Sequence, residues 1–364
     1  MKIFWKTSKI VGIVVLSIVL LVLIYLSYVF IQYYRIDDDT ALHVNYADTM
    51  EACALDTEYS ITTYNIGFGA YNQDYSFFMD KGTMIDGTEV QGTYSKAQSK
   101  DIVVTNTKGV IDTIDAQDAD FSFFQEVDTD ATRSYHVNQY EEIQDGFSDM
   151  ASIYASNFHT AYFLYPFNDP MGYANAGIVT LSKYNVVSSN RYSFPLTGKI
   201  FTDITDLDRC YSLTRINVEG DKDLVLINVH MSAYDEGGKV RAEQLTVLAE
   251  MLELEKDNYV IVGGDFNQRL NNTEFETTQN KPEWVYDFDF SKLPEEYRGV
   301  SSTNVGTCRS TDMPYTMGEN YTTVIDGFIV NDNVETVGIT NIDVDYEYSD
   351  HNPVKLQFKL KNLS

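Results

Sequence analysis

Short apolar segments recur along most of the chain, separated by connections rich in Gly, Asn and Asp. Residues 224–229 are apolar almost throughout, as in a strand that is covered on both faces. In residues 354–358, Val354, Leu356 and Phe358 alternate with polar side chains, as in a strand with one face in water. Length and β-rich composition predict strands at residues 61–66, 121–126, 176–181, 224–230, 260–263, 324–330 and 354–358.

Two longer segments carry apolar residues at helical spacing. Residues 99–117 place apolar side chains on one face of a helix. Residues 241–256 do the same with Leu245, Leu248, Met251 and Leu252. Strands mixed with helices predict sheets that helices cover. Because residues 58–360 show no internal repeat and no second linker, we expect a single domain there.

The N-terminal segment differs from the rest of the chain. Residues 10–31 are uncharged and dominated by Val, Ile and Leu, and as a helix they would span roughly 33 Å, enough to cross a bilayer. Lys2, Lys6 and Lys9 precede this segment, which predicts a cytoplasmic N-terminus. No small-x-small cleavage site follows, so we expect an uncleaved signal anchor rather than a cleaved signal peptide.

These features predict three regions of the chain. Residues 1–36 form a cytoplasmic stub and a transmembrane helix, residues 37–57 a polar juxtamembrane linker, and residues 58–364 an extracytoplasmic domain. The protein is accordingly expected to be a single-pass protein of the cell membrane. It contacts the bilayer through its N-terminal helix, and the sequence indicates no obligate protein partner.

The predicted domain is strongly acidic. The chain has a formal net charge of −28, and residues 37–364 carry 22 basic against 54 acidic side chains, a net charge of −32. Such a surface repels nucleic acid and anionic lipid at long range, unless divalent cations or a local basic patch intervene. Charge therefore counts weakly against a non-specific DNA binder.

The three cysteines, Cys53, Cys210 and Cys308, are too few for a disulfide scaffold. A bridge between Cys210 and Cys308 is one interpretation, and two buried thiols are the other. The sequence favours the buried thiols, because free cysteine is among the most buried residue types.

Polar side chains stand at the ends of several predicted strands. Asn65 follows one apolar run and Glu126 ends another. Asp265 and Asn267 alternate about Phe266, so the two polar side chains project to one side. Each alone is more often a turn former or a solvated strand end than a functional residue. Together they provide oxygen ligands of the kind that hard cations prefer.

Three further positions strengthen this interpretation. Asp326 lies inside an apolar strand, where an unpaired carboxylate is costly, so it needs a cation, a histidine or several N–H donors. His230 ends another strand and His351 follows Asp350 directly. A single His there is usually a satisfied core or rim residue, but two imidazoles beside oxygen ligands indicate chemistry. No His-x-His or Cys-x-x-Cys spacing is present, which favours Mg²⁺ or Mn²⁺ over zinc.

Six short motifs follow one another in the chain: Tyr64-Asn65, Gln125-Glu126, Asn228-Val229-His230, Gly264-Asp265-Phe266-Asn267, Ile325-Asp326 and Ser349-Asp350-His351. Their order and spacing resemble the endonuclease/exonuclease/phosphatase (DNase I-like) superfamily over about residues 60–358. The resemblance implies an α/β fold, a four-layer sandwich of two mostly antiparallel β-sheets flanked by helices. It places the active site at one edge between the sheets.

The resemblance also implies a reaction. It predicts an Mg²⁺- or Mn²⁺-dependent phosphoric ester hydrolase, in which an activated water attacks a phosphodiester in line. The substrate class is a nucleic acid, a phospholipid or a lipid-linked head group. The alternative is a non-catalytic module that binds a polyanion or a partner protein on the same fold.

Roles follow for the motif residues. The predicted metal site consists of Asn65, Glu126 and Asp326, with Asp326 also expected to support one imidazole. His351, oriented by Asp350, is expected to accept a proton from the attacking water. The remaining catalytic residues are Asp265 and Asn267, which would orient water and phosphate, and His230, which would bond the phosphate or donate to the leaving oxygen.

Two departures from the resemblance narrow the substrate. AP endonucleases carry an Asp where this chain has Gly67, and a Tyr where it has His230. Both differences turn the prediction away from an abasic-site enzyme and towards the DNase-like, sphingomyelinase-like and inositol phosphatase branches. Asn175, Arg133 and His136 are predicted to bind the substrate, although each residue type also occurs commonly as a packing or surface residue.

Overall fold

The computed structural model describes residues 2–47, 50–233 and 236–362. Within these residues the chain forms five α-helices and eighteen strands. The helices are α1 Lys2–Gln32, α2 Lys100–Asp115, α3 Gln139–Gly146, α4 Ile200–Asp203 and α5 Lys239–Glu255. The first nine strands are β1 Thr40–Ala41, β2 Val44–Asn45, β3 Glu58–Asn65, β4 Lys81–Thr83, β5 Glu89–Gln91, β6 Phe121–Ala131, β7 Ala151–His159, β8 Ala174–Ser182 and β9 Val186–Ser193. The others are β10 Cys210–Ile216, β11 Leu224–His230, β12 Tyr259–Asp265, β13 Tyr297–Val300, β14 Cys308–Arg309, β15 Thr322–Thr323, β16 Asp326–Asn331, β17 Val334–Asn341 and β18 Val354–Leu360.

Fourteen of these strands form two seven-stranded sheets. The first sheet has the order β1-β9-β10-β11-β12-β16-β13, and the second has the order β17-β18-β3-β6-β8-β7-β2. Each sheet contains one parallel pair, β11 with β12 and β3 with β6, among antiparallel neighbours. This confirms the predicted sandwich of two mostly antiparallel sheets.

The two sheets enclose the main apolar core. Side chains such as Ile61 and Phe123 of the second sheet pack with Leu226 and Ile261 of the first. Burying a side chain of this size stabilises the fold by roughly 1.5–3 kcal/mol. The inner faces therefore hold the two sheets together and fix the edge at which their strands end.

Helices cover the outer faces of the sheets. On the first sheet α5 packs Leu245 and Leu248 against β11 and β12. On the second sheet α2 and α3 form a separate cluster with β6 and β8. Ser99 caps α2, since its side chain accepts a hydrogen bond from the Ile102 N–H at 3.2 Å. Both helices that the periodicity predicts are therefore present, within two residues of their predicted ends.

Parts of the predicted juxtamembrane linker, residues 37–57, pair with the sheets. β1 pairs with β9 at the edge of the first sheet, and β2 pairs with β7 at the edge of the second. Cys53 is fully buried, and its backbone forms an isolated β-bridge with Val218. These parts of the segment thus close an edge of each sheet.

Helix α1 is the N-terminal apolar segment. Its stretch Thr7–Gln32 has 26 residues and contains an 18-residue window with a mean hydropathy of 3.0, which is the length and composition of a membrane span or a signal sequence. Most of its described side chains are exposed, whereas Val29 near its end is buried against Ala161 and Ile204 of the domain. The helix therefore meets the domain at its last turns.

Candidate active site

Strand register in the first sheet aligns three of the predicted residues. β11 and β12 run parallel, which places His230 directly beside Asp265. β12 and β16 run antiparallel, which places Asp265 beside Asp326. Side chains at paired positions of neighbouring strands point to the same face, so these three groups form one row at the sheet end.

Close backbone approach at this row depends on a glycine. Gly264 has φ +142°, and a Cβ on it would lie 2.0 Å from the Val229 carbonyl oxygen. No other residue fits there without shifting the strand. The glycine therefore allows β11 and β12 to bring His230 and Asp265 side by side.

The second sheet contributes Asn65 and Glu126. Asn65 ends β3 beside Gln125 of β6, and Glu126 lies in a bulge of β6 with φ +56°. A bulge turns a side chain away from the alternation of its strand, and strain of this kind concentrates at functional sites. The Asn65 Nδ2 donates to Glu126 Oε1 at 3.2 Å and to Asp265 Oδ2 at 3.0 Å. Asn65 thus joins the ends of the two sheets.

His351 is oriented by Asp326 and not by Asp350, contrary to the sequence-based expectation. His351 Nδ1 lies 2.8 Å from Asp326 Oδ2, while the Asp350 carboxylate accepts a hydrogen bond from Ser349 Oγ at 3.3 Å. The physical reason is that consecutive residues in an extended segment point in different directions. The other ring nitrogen, His351 Nε2, lies 3.8 Å from Asp265 Oδ2.

His230 is the second imidazole of the cluster. Its Nε2 lies 3.6 Å from Asp265 Oδ2 and 3.8 Å from Glu126 Oε1. Its Nδ1 is buried and has no partner among the described residues. Both imidazoles therefore lie within 3.8 Å of Asp265, and Glu126 joins this group through His230 and Asn65.

The two imidazoles have opposite electrostatic environments. Burial lowers the pKa of His230 well below its ordinary value, and repulsion from Arg209 and His351 adds to this effect. Burial also disfavours the charged form of His351, but attraction to Asp326 and other neighbouring anionic groups outweighs it and raises the pKa of His351 well above its ordinary value. The same fold therefore makes one imidazole weakly basic and the other strongly basic.

Acidic side chains dominate the cluster. Burial, followed by repulsion from Asp326, raises the pKa of Asp265 to about 7. Within the described residues no Lys or Arg forms an ion pair with Glu126, Asp265 or Asp326. Buried carboxylates in such numbers are costly without positive charge close by.

This donor set fits a hard divalent cation. Asp265, Asp326 and His351 offer ligand atoms within 4.8 Å of one another, and so do Cys308, Asp350 and His351. The Glu126 side chain is 24% exposed, and it faces the cavity with room for a further ligand. The Asn65 amide presents its NH₂ group to Glu126 and its oxygen to the Gly67 N–H at 3.0 Å. Asn65 thus holds the Glu126 carboxylate at the wall of the cavity.

Asn267 stands beside this cluster in a left-handed conformation, with φ +49°. Its N–H donates to Asp265 Oδ1 at 2.8 Å, and its Nδ2 donates to the Met231 carbonyl at 2.9 Å. Its own carbonyl accepts from Arg241 Nη1 at 2.9 Å. Asn267 therefore fixes the Asp265 carboxylate from the strand end.

The clustered side chains lie around one cavity of about 220 Å³. Of the predicted substrate-binding residues, Arg133 lines this cavity, where it forms a bidentate ion pair with Asp128 and lies 3.9 Å from the centre of the Phe68 ring. His136 and Asn175 do not line it in the described part of the chain. His136 is exposed and bonds Asp130, while Asn175 bonds the His159 ring at 2.7 Å. Their predicted role in substrate binding has no support from this geometry, because neither side chain lines the cavity.

Two polar residues of the cavity wall were not identified by sequence reasoning. Both amide atoms of Asn157, and Nε and Nη1 of Arg209, are buried without a hydrogen-bond partner among the described residues. Such groups are satisfied by water or a ligand, so these two are substrate-binding candidates. The one sequence signal was the Asn in β7, since Asn is depleted in strands. It lies where the register of β7 shifts against β8.

The three cysteines are free and buried, so Cys210 and Cys308 form no bridge. Burial raises the pKa of the Cys308 thiol to about 12. A thiol of this kind is not an effective nucleophile near neutral pH. The chemistry of the cavity therefore belongs to its carboxylates and imidazoles.

A family model described as the Endonuclease/Exonuclease/phosphatase family matches residues 62–351 of the chain. No individual curated protein sequence matches it. Among solved structures, an endonuclease/exonuclease/phosphatase from Beutenbergia cavernae is similar with a TM-score of 0.57 and 16% identity, covering 84% of this chain and 72% of that one. ANGEL2, described as a 2',3'-cyclic phosphatase, gives a TM-score of 0.53 at 14% identity and covers 88% and 99%. TDP2 from D. rerio in complex with a single-strand DNA product gives 0.52 at 15% identity and covers 84% and 100%.

Proposed function

Because the chain belongs to the Endonuclease/Exonuclease/phosphatase family, we propose that it is a membrane-anchored, Mg²⁺- or Mn²⁺-dependent phosphodiesterase with an extracytoplasmic catalytic domain. The observation that carries the proposal is the meeting of Glu126, His230 and the His351–Asp326 pair around one cavity. The apolar part of helix α1, which follows Lys2, Lys6 and Lys9, supports the anchor and its orientation.

The proposed reaction is the hydrolysis of a phosphodiester. Water attacks phosphorus in line, the bond from phosphorus to the leaving oxygen breaks, and the products are a phosphomonoester and an alcohol. Glu126 would hold the divalent ion, which when bound would supply Lewis acidity and counter-charge for the phosphoryl oxygens. The substrates that remain within this proposal are nucleic acids, phospholipids and lipid-linked head groups.

The two imidazoles have different proposed roles. His351 donates its Nδ1–H to Asp326, which leaves Nε2 to accept the proton of the attacking water. Asp326 fixes the orientation of this ring, so that Nε2 lies on the cavity side, 3.8 Å from Asp265 Oδ2. His230 stays neutral, and its Nε2 faces the carboxylate side of the cavity, where it can donate to a phosphoryl oxygen.

Residues around Asp265 position the reactants. The Asp265 carboxylate is held by the Asn65 amide and the Asn267 N–H, so its place in the cluster is fixed before substrate binds. Groups that are oriented in advance stabilise developing charge without a cost of reorganisation. Asp265 is therefore proposed to orient the attacking water.

The test is hydrolysis of bis-(p-nitrophenyl) phosphate by the purified full-length protein. We expect activity with Mg²⁺ or Mn²⁺, complete loss with EDTA, and recovery when the metal is restored. Glu126→Ala should lower kcat/KM at least about 100-fold. Glu142→Ala, at an exposed position of α3, is the matched control and should match the parent.

Two results would contradict the proposal. Activity that survives EDTA would exclude the metal, and a Glu126→Ala variant as active as the parent would exclude the site. Tight binding of a phosphodiester without turnover, in the presence of Mg²⁺, would instead support the non-catalytic module.

A further inference from the structure

An exposed apolar surface lies beside helix α1. We call it the apolar rim. Phe167 is 85% exposed and Phe201 is 76% exposed, values that are unusual for such large rings. The rim comprises the exposed apolar side chains of residues 160–172 and of the segment around α4, namely Tyr162, Leu164, Tyr165, Phe167, Ile200 and Phe201. Adjacent apolar side chains of this kind mark a surface that something else covers.

The rim is bound to α1 by direct contacts. The Tyr25 hydroxyl donates to the Tyr162 carbonyl at 3.3 Å and accepts from the Leu164 N–H at 3.2 Å. The Tyr28 hydroxyl accepts from the Tyr162 N–H at 3.1 Å. Phe201 meets Phe30 edge to face, with ring centres 5.9 Å apart. The rim is therefore held at the level of the last two turns of the helix.

These last turns lie within the apolar stretch itself. Thr7–Gln32 has 26 residues, which is about 39 Å of helix, whereas a hydrocarbon core is about 30 Å thick. Tyr25 and Tyr28 thus fall near one boundary of the bilayer, where tyrosines are enriched. Loops that bond to their hydroxyl groups must lie at the same depth.

Charge on the rim suits a neutral bilayer surface. Residues 160–168 contain no Asp, Glu, Lys or Arg, and the α4 segment carries Lys199 and Asp203 with opposite charges, within a domain whose net charge is −32. A strongly acidic domain is repelled by anionic lipid, but an uncharged apolar loop inserts without that cost. Because this loop lies next to the membrane anchor, the bilayer is the nearest surface that can cover it.

The same two segments also wall the catalytic cavity. Met171 comes from residues 160–172, and Leu207 and Arg209 follow α4, and all three line the cavity around Glu126. The loops that reach the bilayer are therefore the loops that the substrate passes. This placement favours a substrate carried in the membrane over a substrate in solution.

We propose that the apolar rim inserts into the surface of the bilayer that α1 crosses, so that the cavity receives a phosphodiester carried by a lipid of that bilayer. The inference rests on the proposed function for its chemistry and on α1 as the anchor. It selects the lipid-borne phosphodiester over nucleic acid. In the hydrolysis, water adds to phosphorus, one phosphorus–oxygen bond breaks, and one product stays in the membrane with the lipid.

Insertion of the rim can be measured by site-directed labelling of the full-length protein in phosphatidylcholine nanodiscs. All three native thiols are buried, so an introduced surface cysteine is labelled selectively. Phe167→Cys and Phe201→Cys, each with an environment-sensitive fluorophore, should emit at shorter wavelength and be quenched by nitroxide lipids. Leu254→Cys, an exposed apolar position on α5, is the matched control and should stay unquenched. Labels on the rim that behave like the Leu254→Cys label would overturn the proposal.

Substrate class is tested with the Phe167→Ser/Phe201→Ser double variant. It should hydrolyse soluble bis-(p-nitrophenyl) phosphate like the parent. On phosphatidylcholine, phosphatidylglycerol or sphingomyelin in the same nanodisc its activity should fall at least about tenfold, because the two rings that insert into the bilayer are removed. Equal loss on both substrates, or a parent that cleaves DNA but none of these lipids, would overturn the inference. A parent without soluble diesterase activity would defeat the proposed function instead, and the labelling result would still decide whether the rim inserts.

Discussion

The strand ends that carry the catalytic side chains and the loops that carry the apolar rim wall the same cavity, yet they are built in opposite ways. Asp265 and His351 are almost fully buried, fixed by strand register and bonded on several sides. Phe167 and Phe201 are largely exposed and belong to irregular segments. In many enzymes rigid strand ends carry the catalytic groups, and loops select the substrate. Substitutions in one region should therefore leave the function of the other region intact.

The largest expected effect concerns the rigid region. His351→Ala should lower kcat/KM on a soluble diester at least about 100-fold, because the group that accepts the proton is lost. His136→Ala is the matched control, since that imidazole is exposed and lies outside the cavity wall. Steady-state hydrolysis of bis-(p-nitrophenyl) phosphate measures both variants. Equal activity of the two would remove the distinction between an imidazole at the strand ends and one on the surface.

A smaller effect distinguishes the two candidate partners of His351. Asp326→Asn should lower kcat about 10- to 100-fold, as loss of an orienting partner commonly does. Asp350→Asn should cost less, because the Asp350 carboxylate bonds Ser349 and not the imidazole. The measurement is kcat and KM for both variants with saturating Mn²⁺. A larger loss in Asp350→Asn would restore the orienting role that the sequence suggests.

Residues that the loop segments contribute to the cavity wall should affect substrate binding more than turnover. Arg209→Gln is expected to raise KM about tenfold with little change in kcat, because a charge-assisted hydrogen bond is lost before the chemical step. Arg215→Gln, on the strand β10 that follows Arg209, is the control, since Arg215 pairs with Glu255. A fall in kcat alone for Arg209→Gln would place this side chain in the chemistry and weaken the separation of the two regions.

The smallest effect concerns the junction of α1 with the domain. Arg35 pairs with Asp208 at 2.6 Å but is substantially exposed. Arg35→Gln should therefore lower stability by no more than about 1 kcal/mol and leave kcat unchanged. Thermal unfolding of the full-length protein in detergent measures this change. A large loss of activity would show that the junction, which belongs to neither region, controls the site.

The rigid region was largely predictable from the sequence. Apolar runs of strand length end at His230, Asp265 and Glu126, and strands of one sheet end at a shared edge, so convergence could be predicted without coordinates. Family resemblance supplied the order of the motifs, and the match over residues 62–351 agrees with it. The pattern predicted the pairing of side chains only in part, because Asp326 was expected to support one imidazole but Asp350 was expected to orient His351. Asp350 adjoins His351 in sequence, but the partner is Asp326, because contact depends on direction and not on adjacency.

The loop region was not predictable, for a physical reason. Two-residue strands such as β1 and β2 have no period, and their pairing with β9 and β7 is fixed by tertiary contacts alone. The exposure of Phe167 could not be predicted from the sequence either, since a large apolar side chain is usually buried. Asn175 and His136 were predicted as substrate ligands from residue type, which does not show where a side chain points. Function that depends on loops therefore had to come from the structure.

Crystals of the full-length protein grown with Mn²⁺ would show, through the anomalous signal of the metal, whether an ion binds at Glu126. We expect one ion in the cavity with a Glu126 carboxylate oxygen about 2.2 Å away, on the side that faces His230 and His351. An ion that instead lies between Cys308 and Asp350, or a cavity without an ion at saturating Mn²⁺, would contradict this expectation.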